Sequence, residues 1–414
     1  MSDPPRIDHP DALDAAAVEA WLRERDPQKL AALWRMADDT RCRCVGDEVW
    51  LRGLIEISNN CRQRCAYCGI SSHLTGIGRY RMAAAAILES AKKAVRYRFG
   101  TIVIQAGEDP HITGPWLADV IRAIKAETGL VMTLSMGERP DEDLRAWREA
   151  GADRYLLRFE TSDQKLYARI HPDLEGYNSS GAWSEAEGGF IPPGASVRRG
   201  PGKGAAVPRG YLVSDRRGQL RRMRDMGYEI GTGVMIGLPG QTWASLAEDI
   251  LLFRQYDMDM LGVGPFVEAP GTPLAGRMGK ALRREAGADQ VPADELTTLK
   301  VVALTRLVCP TSNIPATTAL EAIDPGNGRI EGLQKGANVI MPNLTPPRCR
   351  EMYSTYPGKP GSGASGRIAA WLRWPDASTT RMKTTDEEVA GIVAEIESIG
   401  RKASKGAGFR AAGW

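Results

Sequence analysis

The chain has 414 residues, 43% hydrophobic and 25% charged, the composition of a globular protein large enough to bury a substantial core. A net charge of +3 gives no strong pull toward nucleic acid or a membrane surface, and nowhere do about 18 apolar residues run together to span a bilayer. The odd count of seven cysteines, with no basic-then-apolar leader in "MSDPPRIDHPDALDAAAVEAWL", predicts free thiols in a reducing, cytoplasmic setting.

In chain order, "DALDAAAVEAWLRE" and "PQKLAALWRMADDTR" carry apolar residues at helical spacing. They predict two amphipathic helices in an extension over 1–48, packed against one end of the main domain. Cys42 and Cys44 behind them read as incidental thiols. Short β-branched or apolar runs then recur between charge-rich helical stretches, at 54–58, 101–105, 131–135, 154–159, 232–237, 260–266, 313–318 and 338–343. Eight strands alternating with helices predict an α/β fold, a (β/α)8 barrel of TIM type over 49–359. The seventh run is the weakest strand, because Pro315 interrupts it.

Polar or glycine residues close almost every run: Asn59; Gly107, Glu108 and Asp109; Gly137 and Glu138; Arg158 and Glu160; Gly237, Pro239 and Gly240; Thr317 and Thr318; Asn343 and Thr345. Singly, each suits a helix cap or a turn. Together they would meet at the C-terminal face of a barrel, where catalytic groups collect.

After the first run, "SNNCRQRCAYCGI" places Cys61, Cys65 and Cys68 at C-x3-C-x2-C spacing. Three thiolates can ligate three corners of a cubane iron–sulfur cluster and leave the fourth iron open for a ligand. Structural zinc fits less well, since it wants four ligands, often in paired C-x2-C knuckles. A buried helical stripe of thiols fits poorly with Asn59, Asn60, Arg62, Gln63 and Arg64 in the same segment.

This loop, with Tyr67 just before the third cysteine, resembles the signature of radical S-adenosylmethionine (SAM) enzymes. Further blocks, among them "AGEDP", "AGADRYLLRFET", "GYEIGTGVMIGLPGQT", "GPFVEAPGTPLA", "SNIPATTA", "GANVIMPN" and "YSTYPGK", resemble in order those of the HydE-type maturases of [FeFe]-hydrogenase, from about 49 to 359. The resemblance implies a radical SAM barrel with one [4Fe-4S] cluster on Cys61, Cys65 and Cys68, and SAM on the open iron. It assigns SAM contacts to Tyr67, Glu108, Ser135, Glu160, Arg216, Met235 and Gly237. It assigns the substrate cavity to Gln105, Arg154, Arg158, Met260, Thr317, Thr318, Met341, Tyr353 and Tyr356.

The implied substrate is a small organometallic complex of iron with carbonyl, cyanide and cysteine, supplied by HydG, on whose cysteine sulfur a 5′-deoxyadenosyl radical acts. The product advances toward the diiron subcluster loaded by HydF, and an electron donor reduces the cluster. Competing readings are a methylornithine synthase-like lysine mutase, a maturase of the iron-only hydrogenase cofactor, and a noncatalytic iron–sulfur scaffold. The last leaves Glu108, Glu160 and Arg216 without a task.

Three departures from the family stand out. "GKPGSGASGRIAAWLRWPDAS" lacks the three cysteines that hold an accessory cluster in many members, so a single cluster is expected, with Cys309 and Cys349 as packing thiols. Phe159 stands where members carry histidine. A stretch at about 174–215, rich in Gly, Pro, Ser and Arg, reads as a surface loop at the bowl rim, a place for a lid or a docking site. Residues 360–414 are expected as a helical segment ending in a mobile basic tail, "RKASKGAGFRAAGW".

Overall fold

The computed structural model describes residues 13–172, 215–358 and 385–410. The expected insertion, apart from Asp215, and the segment 360–384 lie outside the described residues. Seven strands, β1 (Glu48–Ser58), β2 (Thr101–Ala106), β3 (Val131–Ser135), β4 (Arg154–Leu156), β5 (Glu229–Ile236), β6 (Met260–Pro265) and β7 (Val339–Ile340), form a curled sheet in the order β6-β5-β4-β3-β2-β1-β7. Every pairing is parallel, with helices in the connections, as the alternating pattern predicts. Ile55, Ile57, Ile102, Ile104, Met132 and Leu134 are fully buried in one core with Ile87, Ala91 and Ile121 of the outer helices. The residues between them, Glu56, Gln105 and Ser135, stand side by side in register on the other face.

The expected seventh strand is not a strand. Residues around Pro315 make only isolated parallel bridges, Met260 to Asn313 and Pro315 to Val339. Leu261 N donates to Asn313 O at 2.9 Å, and Ala316 N donates to Val339 O at 2.9 Å. The segment thereby spans from β6 to β7, while proline, lacking an N–H, cannot extend a ladder. Strand β4 is shorter than expected because the chain turns at Glu160, whose φ is +65°.

The two N-terminal helices, Ala15–Arg23 and Pro27–Val45, form with Asp14 and Asp26 as side-chain caps. They pack on the flank, against helices Trp243–Gln255 and Glu295–Val308, rather than on an end. The reason lies in Trp21, Leu22 and Leu33, which bury there, and in Lys300. Its ammonium donates to the carbonyls of Leu22 and Glu24, taking up acceptors that the first helix leaves open.

The tail departs most from expectation. After helix Thr385–Ser398, strand β8 (Lys402–Ser404) pairs in parallel with β1 at Glu48, Val49 and Trp50. The next residues plug the N-terminal end of the sheet. Ala407 O accepts from Thr101 Oγ1 at 2.7 Å and from both terminal nitrogens of Arg154 at 3.2 Å. Gly408 O accepts from Arg52 Nη2 at 2.8 Å and Asn313 Nδ2 at 3.1 Å, and the Phe409 ring lies 4.5 Å from the Arg154 guanidinium. Two buried arginines need acceptors, and the tail supplies them. Its glycines serve contact, not mobility: a Cβ at Gly406 or Gly408 would stand 2.7 Å from the Trp50 ring.

Candidate active site

The cysteine loop follows β1 and is tied down at both ends. Asn59 Nδ2 donates to Gly78 O at 2.7 Å and Met352 O at 2.8 Å, and its Oδ1 accepts from Tyr80 N at 2.7 Å. Ser58 Oγ donates to Asp109 at 2.7 Å, and Arg81 grips both oxygens of that carboxylate at 2.7 Å. Gly107 is a residue only glycine can be, because a Cβ there would collide with Asn60 O and stand 2.7 Å from Cys61 Cβ.

Cys61, Cys65 and Cys68 are half-buried, and none of them is in a disulfide. Burial pushes the Cys61 thiol up to about 12, with Glu108 and Cys68 adding to it. Burial raises Cys65 as well, against the field of Arg216. Thiols in such a place ionise when a cation takes the proton's position. Among the described residues no three His, Cys, Asp or Glu side chains converge on one ion. A cluster presents its irons at separate corners, so donors need not converge, and three thiols outside any disulfide on one loop fit that group.

Beside the loop, Glu108 Oε2 accepts from Gln63 Nε2 at 2.6 Å and Arg62 Nε at 3.3 Å, and Oε1 accepts from Glu138 N at 2.9 Å. Arg216 opens helix Arg216–Asp225, its Nε on Glu138 at 2.9 Å and its Nη1 on Arg158 O at 2.8 Å. The Tyr67 hydroxyl meets His171 Nε2 at 2.9 Å, and His171 stacks on Tyr167 at 4.2 Å. Burial and Arg216 hold that imidazole well below its ordinary range, hence neutral. Glu160 joins the group from a left-handed backbone, its Oε2 on Arg158 Nε at 3.1 Å, and Met235 N donates to its carbonyl at 3.2 Å. A non-glycine residue in that conformation is strained, and such strain gathers at functional sites. Gly237 (φ +79°) donates its N–H to Gln241 Oε1 at 2.7 Å.

Deeper in, Gln105 Nε2 donates to the Tyr353 hydroxyl at 3.1 Å, and Thr318 Oγ1 meets the Tyr356 hydroxyl at 2.7 Å. The two threonines divide the work: Thr317 accepts from Leu320 N at 3.4 Å and caps helix Thr318–Ile323. Arg158 Nη2 donates to Val234 O at 2.7 Å, and a Cβ on Gly262 would meet only Arg158 and a carbonyl beyond 3.6 Å, leaving room beside the guanidinium. Ser135 stands in register with Gln105, and Met341 is half-buried just after β7.

Two expected cavity residues lie elsewhere. Arg154 and Met260 open β4 and β6, at the N-terminal end of the sheet with the plug. Arg154 Nε pairs with Glu229 at 2.5 Å, and Arg52 Nη1 reaches Met260 Sδ at 2.8 Å. Both residues begin their strands, whereas bowl residues end them. Phe159 likewise faces the core, 5.8 Å from Phe253. Sequence reasoning missed His171, Arg79 and Glu56. Glu56 is fully buried, with Asn343 Nδ2 on its Oε2 at 2.9 Å; an acid inside the apolar run "LIEIS" was its signal.

Asp249, buried on helix Trp243–Gln255, braces the turns that follow β4 and β5, accepting from Ser162 N at 2.5 Å and Gln241 Nε2 at 3.3 Å. Burial raises its carboxyl from 3.8 to about 7. The folded state therefore holds this proton more tightly than the unfolded chain. The contribution to stability is full below the ordinary carboxylate range, and it is lost as pH rises from 3.8 through about 7. Asp249→Asn is expected to lack this component, so the melting-temperature gap between variant and parent should shift in the variant's favour as pH rises across that window; a gap constant with pH would contradict it.

Residues 55–177 match the family model described as the Radical SAM superfamily; together with a relative 41% identical over 79% of the chain, this makes the chain a radical SAM enzyme. The crystal structure of methylornithine synthase superimposes on 95% of this chain and 94% of its own with a TM-score of 0.68 at 22% identity. That of the FeFe-hydrogenase maturase HydG from Carboxydothermus hydrogenoformans covers 95% and 76%, with 0.65 at 17%. Both share the fold. The [FeFe] hydrogenase maturase subunit HydE of Thermotoga maritima is 41% identical over 328 residues, 79% of each chain, and this chain belongs to the HydE family. The 3-methylornithine synthase of Methanosarcina acetivorans is 26% identical over 78% of this chain and 77% of its own. Among the described residues no helix is long and apolar enough to cross a membrane.

Proposed function

We propose that this protein is a maturase in assembly of the diiron subcluster of the [FeFe]-hydrogenase H-cluster, acting on the cysteine sulfur of an iron–carbonyl–cyanide–cysteine precursor. The observation that carries this reading is the 41% identity to HydE over four fifths of both chains. HydG as supplier of the substrate, HydF as acceptor and a low-potential electron donor are the partners that the reading implies.

Cys61, Cys65 and Cys68 hold a [4Fe-4S] cluster, and Glu108, Arg216, Ser135, Glu160 and the backbone near Tyr67, Met235 and Gly237 hold SAM. When bound, cluster and SAM supply a 5′-deoxyadenosyl radical. The remaining work belongs to the chain. Arg158 offers a fixed fork to an anionic group, Thr318, Tyr356, Gln105 and Tyr353 line the approach with hydroxyl and amide groups, and Met341 adds a soft wall. The curled sheet keeps bulk water from the reacting centre.

One feature favours keeping a second reading under test. Buried Glu56 and half-buried Arg158 bring opposite charges to the upper interior, and both act on the Tyr356 hydroxyl. Such a pair suits the ammonium and carboxylate of a free amino acid, as a lysine mutase requires. The deciding experiment measures 5′-deoxyadenosyl products from the anaerobically reconstituted, reduced protein with SAM and either the synthetic iron complex, lysine or no substrate. Turnover raised by the complex, with adenosyl attached to its cysteine sulfur, is the expected result. Stimulation by lysine alone would transfer the protein to the mutase branch.

A further inference from the structure

Resting on the proposed three-cysteine cluster, we infer that Arg79 is a positioning residue that clasps the two ends of the cysteine loop and, through its charge, sets the reduction potential of the cluster. Its Nη1 donates to Asn59 O at 2.6 Å and Ile70 O at 2.7 Å. Its Nη2 donates to Ser71 O at 2.8 Å and Leu74 O at 3.2 Å. Asn59 precedes Cys61 by two residues and Ile70 follows Cys68 by two, so one planar fork joins the chain entering the cysteines to the chain leaving them.

The acceptors decide the electrostatics. Arg81 faces Asp109 and Arg62 faces Glu108, each cation beside a carboxylate. Arg79 is bonded to carbonyl oxygens and forms no ion pair among the described residues, so its field remains to act on Cys61 and Cys68. Reduction adds one electron, from an external one-electron donor, to a cluster already ringed by three thiolates. A fixed cation beside two of them favours the more negative, reduced state, and the hydrogen bonds fix its distance.

The test uses full-length wild type, Arg79→Gln and Arg79→Lys, each reconstituted anaerobically without SAM. Iron and sulfide are counted, and the midpoint potential is read from an EPR-monitored titration. Gln removes the charge and is expected to lower the reduced-to-oxidised ratio at fixed potential tenfold, equivalent to about 59 mV for one electron. Lys keeps the charge while reaching fewer carbonyls, and should move less than half as far. An unshifted Gln variant with full iron content would overturn the inference. So would a Lys variant that shifts as far as Gln, or loss of iron from both, which would leave Arg79 a clasp alone. Wild type that binds no iron would instead remove the cluster reading on which the inference rests.

Discussion

Cys65→Ser protein is expected to fold normally, hold little iron and lose SAM cleavage by at least about a thousandfold, roughly 4 kcal/mol of barrier. Cys65 is the middle donor, under the combined fields of Cys61, Cys68, Glu108 and Arg216. A serine hydroxyl keeps the size but does not ionise near neutral pH, so a cluster iron on the proposed assignment would lose its anionic ligand. The fold should survive because the loop's shape comes from other groups. Asn59 and Arg79 hold its ends, and Gly69 N donates to Thr355 O at 3.0 Å where a Cβ would clash with backbone. Iron content, 5′-deoxyadenosine formation and a thermal melt check the three parts separately. Full cleavage by the serine variant would contradict the assignment of the loop.

The second large effect concerns stability. A chain ended at Ser404 should lose about 3–5 kcal/mol, read as a fall in urea midpoint, because the plug supplies acceptors to two buried cations. Without it Arg154, Thr101 and Asn313 lose the carbonyls of Ala407 and Gly408, and Arg52 loses the bond to Gly408. Arg52 is already stressed: its Nε is buried with no hydrogen-bond partner, and burial beside Arg154 draws its pKa down to about 9. Phe409→Ala in the full chain removes only the ring over Arg154 and should cost about 1 kcal/mol. Arg52→Met should restore part of the stability in the shortened chain and not in the full one, an interaction that a double-mutant cycle isolates. Equal midpoints for full and shortened chains would show that water serves these arginines as well as the tail does.

These two sites also mark what was legible in the sequence. The radical SAM class could be read because its cysteine motif is local, written in the spacing of residues 61–68. The strands could be read from their apolar runs, and the failure of the seventh from Pro315. Which end of a strand a residue occupies is different information. Arg154 and Arg158 lie four residues apart on one segment, yet one serves the plug and the other the bowl. The N-terminal helices showed an apolar face but not the surface that would cover it. Arg79 left no pattern at all, since its four acceptors are backbone groups that every residue carries. In the tail, glycine-rich composition suggests freedom, whereas the glycines are needed for close approach to Trp50.

Strand β1 carries the cysteines at one end and is flanked near the other by β7 and β8, which the ribosome makes last. At a typical synthesis rate, the stretch from Ser58 to Val339 takes roughly 15–55 s to appear. For that interval the edge of β1 has no neighbour on one side, and an unpaired hydrophobic edge invites aggregation. The same delay leaves the nascent thiols exposed before the curled sheet is complete. On the proposed cluster assignment, loading would compete with strand closure during translation, and slower elongation should raise the iron content of the purified protein.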